Sequence, residues 1–172
     1  MARDITSDFN TAIKDTVVQP IFAIELEFSD GTLRFWTGYG DITMTAGGSS
    51  KTFTGAGDLL NISPIGESST LQMQGITVAL TGIKSSLIST ALTAQYTNRN
   101  GTLYMGLLNS SGAVIADVYT LFKGKMDVLN INEGAETSTI SLNIESRLVS
   151  FDLPLNRMYT LEDQQVDYST DL

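Results

Sequence analysis

Apolar and polar residues alternate with a period of two along much of this chain, the pattern of strands that bury one face. In Ile21–Phe28 the residues Phe22, Ile24, Leu26 and Phe28 share one face, and Glu25 and Glu27 occupy the other. Ser29-Asp30-Gly31 predicts a turn, since Gly31 accepts a positive φ, and Thr32–Thr37 returns as the partner strand. Shorter strands are predicted over Ile42–Thr45, Lys51–Thr54, Leu59–Pro64 and Leu71–Leu80, with Gly75 marking a bulge or a close backbone approach. A second hairpin joins Thr102–Leu108 to Ala113–Val118 through an Asn-Ser-Ser-Gly turn. The longest joins Leu121–Ile131 to Thr137–Glu145 across Asn-Glu-Gly-Ala-Glu.

Two segments carry a helical period instead. Thr6–Asp15 can be capped by Thr6 or Ser7 and sets Phe9, Ala12 and Ile13 at i, i+3 and i+4, before Pro20 ends it. Ile83–Ala94 puts Ile83, Leu87, Ala91 and Ala94 on one face, against a Ser and Thr content that works against helix. The expected fold is mainly β: an antiparallel β-barrel or sandwich with one N-terminal and one internal short helix. It is expected to fill residues 1–151. Within 152–172 the acids Glu162, Asp163, Asp167 and Asp171 stand against Arg157, so this stretch reads as an acidic C-terminal arm that orders against a partner or stays disordered.

Composition narrows the function. The 172 residues fit one domain plus an arm. Ten basic against nineteen acidic residues give a net charge of −9, which argues against a nucleic-acid surface, since that needs a basic patch. The chain has no His and no Cys. The commonest general base is therefore missing, along with thiolate nucleophiles, disulfides and Cys-ligated zinc. No apolar run approaches membrane-spanning length, and MARDITSDFN lacks the apolar core of a signal peptide. The expectation is a chain made soluble in the cytoplasm.

Few residues suggest chemistry. AGGSSKTF resembles a phosphate loop, but Ser50 rather than Gly precedes Lys51, so the better reading is a glycine-rich loop. Gly55-x-Gly57 lacks the third glycine of a dinucleotide fingerprint, because position 60 is Leu. Glu25 and Glu27 share a face as a catalytic carboxylate pair would, yet a half-buried strand gives them a solvated side. Asp4 and Asp8 suit the start of the first helix, and Glu133 and Glu136 suit a turn. Trp36 and Tyr39 offer an aromatic platform, for a sugar or for a protein neighbour. Tyr159 and Tyr168 are amphipathic anchors in the acidic arm.

Three segments together carry a likeness to a known group. MARDITSDFNTAI followed by FAIELEFSDGTLRFWTG gives a short helix and then a hairpin with an Asp-Gly turn. LFKGKMDVLNINEGAETSTISLNIESRLVSFD has a Phe-x-Gly and a Glu-x-Arg-Leu exit, and NRMYTLEDQQVDYSTD has Arg-x-Tyr-Thr and Glu-Asp-Gln. The chain resembles the tail-tip proteins of tailed bacteriophages, in the baseplate hub or distal tail set that shares a tail-tube-like β-barrel. The likeness covers both ends and the overall length, and is weak between about 40 and 110. Some relatives continue past the equivalent of Asp171 with cysteines that bind a metal or an iron–sulfur centre. The absence of Cys rules that role out here, and no cofactor is expected.

The resemblance implies a structural virion protein at the tail tip and no enzyme. It implies a ring, a trimer or hexamer of the chain itself, contacting the tail tube and other hub or fibre proteins. The candidate interface residues are Phe9, Ile13, Trp36, Tyr39, Arg157, Tyr159 and Tyr168. The alternative reading is a carbohydrate-binding β-sandwich, a receptor-binding module built on Trp36 and Tyr39.

Overall fold

The computed structural model describes residues 5–56, 60–66, 74–81, 94–115, 117–133 and 138–151, together with Thr160, Gln164, Gln165 and Tyr168. Residues 83–93 of the predicted 83–94 helix and most of the predicted arm fall outside these residues, while Ala94 is buried in the main core. The fold is mainly β, as the alternating sequence requires. Its strands are β1 (Gln19–Phe28), β2 (Gly31–Trp36), β3 (Asp41–Ala46), β4 (Ser49–Gly55), β5 (Leu60–Ile62), β6 (Gly75–Thr81), β7 (Asn100–Leu108), β8 (Tyr119–Glu133) and β9 (Ser138–Ser146). They join in one sheet of order β3-β4-β2-β1-β7-β8-β9-β6-β5. Every ladder is antiparallel except the two-residue one between β2 and β4.

This sheet cannot be flat. Ala56 donates its N–H to the Trp36 carbonyl beside β2, yet β5 begins only four residues later at Leu60. In the strand order β5 lies six steps from β2, about 29 Å away at about 4.8 Å per step. Four residues span at most about 14 Å. The sheet therefore curls until β5 faces β1 and β7 across the interior. Ile62 and Ile65 accordingly line one cavity with Phe22, Leu103 and Leu121. It is nevertheless not closed into a barrel, which corrects that half of the expectation. β5 has three residues, too few to carry a closing ladder, and β3 at the other edge is drawn elsewhere.

The inner, concave face holds the main core. Ile24, Leu26 and Phe28 of β1 join Phe35 of β2, Ile76, Val78 and Leu80 of β6, Leu103 of β7, Met126 of β8 and Leu142 and Ile144 of β9. A fully buried aliphatic side chain of this kind contributes about 1.5–3 kcal/mol. A second core lies on the outer face. The β3–β4 hairpin folds back over β1 and β7, so that Met44, Ala46 and Phe53 pack on Ile21, Ala23, Trp36, Tyr104 and Val118. Its reversal is made by Gly47 and Gly48, with φ of +62° and +79°, between the paired Ala46 and Ser49. A two-residue hairpin turn with both central φ positive strongly favours glycine.

The first helix, α1 (Ser7–Ala12), is shorter than predicted. Thr6 caps it by accepting from the Phe9 N–H (3.3 Å), and Phe9 and Ala12 bury against Leu107. Beyond Ala12 the bonds tighten to i−3, from Lys14 to Thr11 and from Asp15 to Ala12. The β-branched Thr16, Val17 and Val18 then give way to Pro20. The second predicted hairpin also changes. Ala113–Val118 contributes one isolated bridge, Leu108 to Val114, and β7 pairs with β8 from Tyr119 onward. Val118 leaves that ladder because its N–H donates to the Thr45 carbonyl of β3 (3.1 Å) and its side chain enters the outer core.

Candidate assembly surface

Three strands meet at Glu25. Period two turns it to the outer face of β1, and register sets Arg34 of β2 beside it. The folded-back hairpin lowers Lys51 of β4 onto the same carboxylate. Arg34 Nε donates to Oε2 at 2.7 Å and Lys51 Nζ to Oε1 at 2.9 Å. Glu25 is 7% exposed, so the expected solvated side is in fact covered. Burial, the largest influence, pushes its pKa up, but the hydrogen bonds and charges of Arg34 and Lys51 together outweigh it. The net result is a carboxyl below its ordinary value. Tyr104 completes the group. Its ring meets Phe53 edge-on at 6.2 Å, and burial, then the Glu25 charge, raises its pKa. Each carboxylate oxygen is occupied by a cation of the same chain, so the cluster locks the hairpin layer onto the sheet. Glu27 is held in turn by the Asn100 amide (2.7 Å).

The predicted interface residues divide into two groups. Phe9 is buried in the α1 core, and Trp36 is buried in the outer core with its indole N–H donating to the Gly40 carbonyl (2.9 Å). Both therefore shape the surface from beneath. Ile13 (45% exposed), Tyr39 (80%) and Tyr168 (66%) face solvent. Arg157 and Tyr159 lie outside the described residues. Sequence reasoning missed Val17 (75% exposed) and Val18, which with Ala12, Leu107, Leu108 and Ile115 line a groove of about 290 Å³ beneath α1. Their signal was two adjacent β-branched residues between the helix and Pro20, outside either period.

Open backbone edges add to this surface. β3 and β5 end the sheet, and β8 outruns its neighbour: β7 pairs with it only from Tyr119 to Lys125, while β9 follows it to Glu133. From Asp127 to Glu133 the β7 side of β8 is unpaired among the described residues, and a bulge between Met126 and Leu129 turns Val128 outward. No helix among the described residues is long and apolar enough to cross a membrane.

The fold is similar to that of a chain in the virion of a native gene transfer agent particle. The TM-score is 0.56 at 16% sequence identity, over 90% of this chain and 49% of that one. This chain thus spans about half the length of its structural neighbour. No protein-family profile matches the sequence, and no match is found among curated proteins.

Proposed function

We propose that this chain is a structural, non-enzymatic virion protein, a ring subunit at the tip of a phage-like tail that links the tail tube to hub or fibre proteins. The observation that carries the reading is the fold correspondence with a gene transfer agent virion chain across nearly the whole of this sequence. The surface supports it. Among the described residues, the unpaired edges at β5 and the distal half of β8, with the exposed apolar side chains of Ile13, Val17 and Val18, are features that neighbouring subunits cover. A sequence without His or Cys suits the same work. In such a ring each copy supplies one unit, and further copies or another hub protein complete it. The carbohydrate-binding alternative loses its main support, because the Trp36 ring is buried and unavailable for stacking on a sugar.

The test is the absolute mass of the purified full chain by light scattering over a wide concentration range. The reading expects a trimer or hexamer that Val17→Ser and Ile13→Ser weaken without loss of fold. A monomer at every concentration that also fails to bind isolated tail tubes overturns it.

A further inference from the structure

The outer face of the sheet concentrates positive charge in an otherwise acidic protein. Residues on neighbouring strands that share this face follow from register: Glu25 pairs with Thr102 and Thr102 with Lys123, while Asn100 pairs with Lys125 and Lys125 with Glu145. Arg147 stands one residue past the Gly124–Ser146 pair, at the register position beside Lys123. Arg99 is in the turn whose carbonyl accepts from Met126. With Arg34 and Lys51, six of the seven cations among the described residues lie on this face or its rim, together with the acids Glu25, Glu27, Asp127 and Glu145. Glu25 occupies Arg34 and Lys51, whereas Arg99, Lys123, Lys125 and Arg147 form no ion pair among the described residues. Arg99, Lys123 and Arg147 are exposed and Lys125 is half-buried.

The complement is in the same sequence. Residues 152–172 carry Asp152, Glu162, Asp163, Asp167 and Asp171 against Arg157 alone. Gln164 N–H donates to the Thr160 carbonyl and Tyr168 N–H to the Gln164 carbonyl, both at helical spacing. In the sequence Asp163, Asp167 and Asp171 recur at the same interval of four. Thr160, Gln164 and Tyr168 are exposed.

We infer that the acidic segment 152–172 of one copy docks on the basic outer face of a second copy, its carboxylates against Lys123, Lys125, Arg99 and Arg147. The inference rests on the ring-subunit reading for its supply of neighbours, and it names the surface that receives the arm. Opposite charge steers the two together and fixes their register, and Tyr168 supplies an amphipathic anchor beside the acids. At −9 overall, two copies repel except through this pairing of unlike faces, so it also selects the orientation in which they meet.

The experiment is fluorescence anisotropy of a labelled peptide of residues 152–172 titrated with the full chain at low salt. Binding is expected, weakening as salt rises through the range where the screening length falls below about 10 Å. Lys123→Glu with Lys125→Glu should weaken it about tenfold or more. Because reversal beside Glu145 could disturb β8, the neutral pair Lys123→Gln and Lys125→Gln is measured alongside, with folding checked by circular dichroism. The peptide carrying Asp163→Lys and Asp167→Lys needs no folded variant. It should fail on the wild-type chain and regain binding on the Lys123→Glu, Lys125→Glu chain. No binding of the wild-type peptide, equal binding by all variants, or displacement of the peptide by a tighter-binding DNA duplex overturns the inference. The chain's mass, measured separately, reports on the ring itself, so either idea can fail while the other stands.

Discussion

Glu25→Gln isolates the lock between the two layers. The carboxylate holds Arg34 at 2.7 Å and Lys51 at 2.9 Å and is itself nearly covered. An amide of the same shape removes the charge, and it can accept from only one of the two cations. Hydrogen bonds to charged groups contribute about 1.5–3 kcal/mol, and stranding one partner of a fully buried pair costs about 3–5 kcal/mol. Here the Arg34 and Lys51 side chains retain 30% and 17% of their exposure, so water takes back part of the loss. The expected cost is about 2 kcal/mol, lowering the urea midpoint by roughly 1 M or the melting temperature by roughly 4–8 °C. Trp36 lies in the same outer core and reports the transition by its fluorescence. The pH dependence has a definite sign. A carboxyl whose folded pKa is depressed contributes stability that is present above its ordinary value near 4.5 and is lost as pH falls through the lower folded value. The gap between wild type and Glu25→Gln should therefore be full at pH 7 and narrow below pH 4.5. The double change Glu25→Leu with Lys51→Met should cost less than Glu25→Leu alone, since it removes a charge that would otherwise be stranded. A loss under about 0.5 kcal/mol for Glu25→Gln, with no narrowing in acid, would place the cluster among ordinary surface pairs and refute the lock.

Two glycines that look alike in sequence should behave differently. A Cβ at Gly124 would run into the Glu145 carbonyl oxygen of β9, with the Glu145 carbonyl carbon and a Phe122 ring atom each at 2.9 Å, so Gly124→Ala should cost about 3 kcal/mol in a urea melt. At Gly48 the space is open but φ is +79°, and Gly48→Ala should cost about 1 kcal/mol from the backbone alone. Trp36 should emit at short wavelength, resist acrylamide quenching and show no change across a glycan panel. A glycan-dependent change lost in Tyr39→Ala would revive the sugar-binding reading. Val17→Ser should leave stability within about 0.5 kcal/mol, as for other exposed positions, while reducing self-association measured by sedimentation.

The β1–β2 hairpin was legible almost to the residue, because strict alternation and an Asp-Gly turn are local signals. The burial of Glu25 was not. What covers it is a hairpin that begins over a dozen residues later, and no local period records where a hairpin will fold. The sequence did hold a hint: Ile21 and Ala23 are apolar on the same side as Glu25, which a solvated face would not favour. Val118 misled for the same reason, since its alternation fits a partner for β7 while a tertiary bond to Thr45 draws it away. The break in β closure follows from the shortness of β5, and boundaries are where pattern says least. Among the interface candidates, a large aromatic side chain reads identically in a core and in a contact. Phe9 and Trp36 thus proved to be interior while Ile13 and Tyr39 are exposed. The basic outer face was hidden by a net charge of −9, because a sum over the chain erases the cross-strand register that gathers Lys123, Lys125 and Arg147.

The central claim is that this chain is built into a virion as a ring subunit. The most direct measurement is quantitative mass spectrometry of gradient-purified particles, and of tails stripped from them, made by the cells that encode the chain. The account predicts that the chain remains with the tails at a few copies per particle, in fixed proportion to a known tail protein and resistant to a high-salt wash. Its absence from particles while it stays abundant in the cell lysate would contradict the claim.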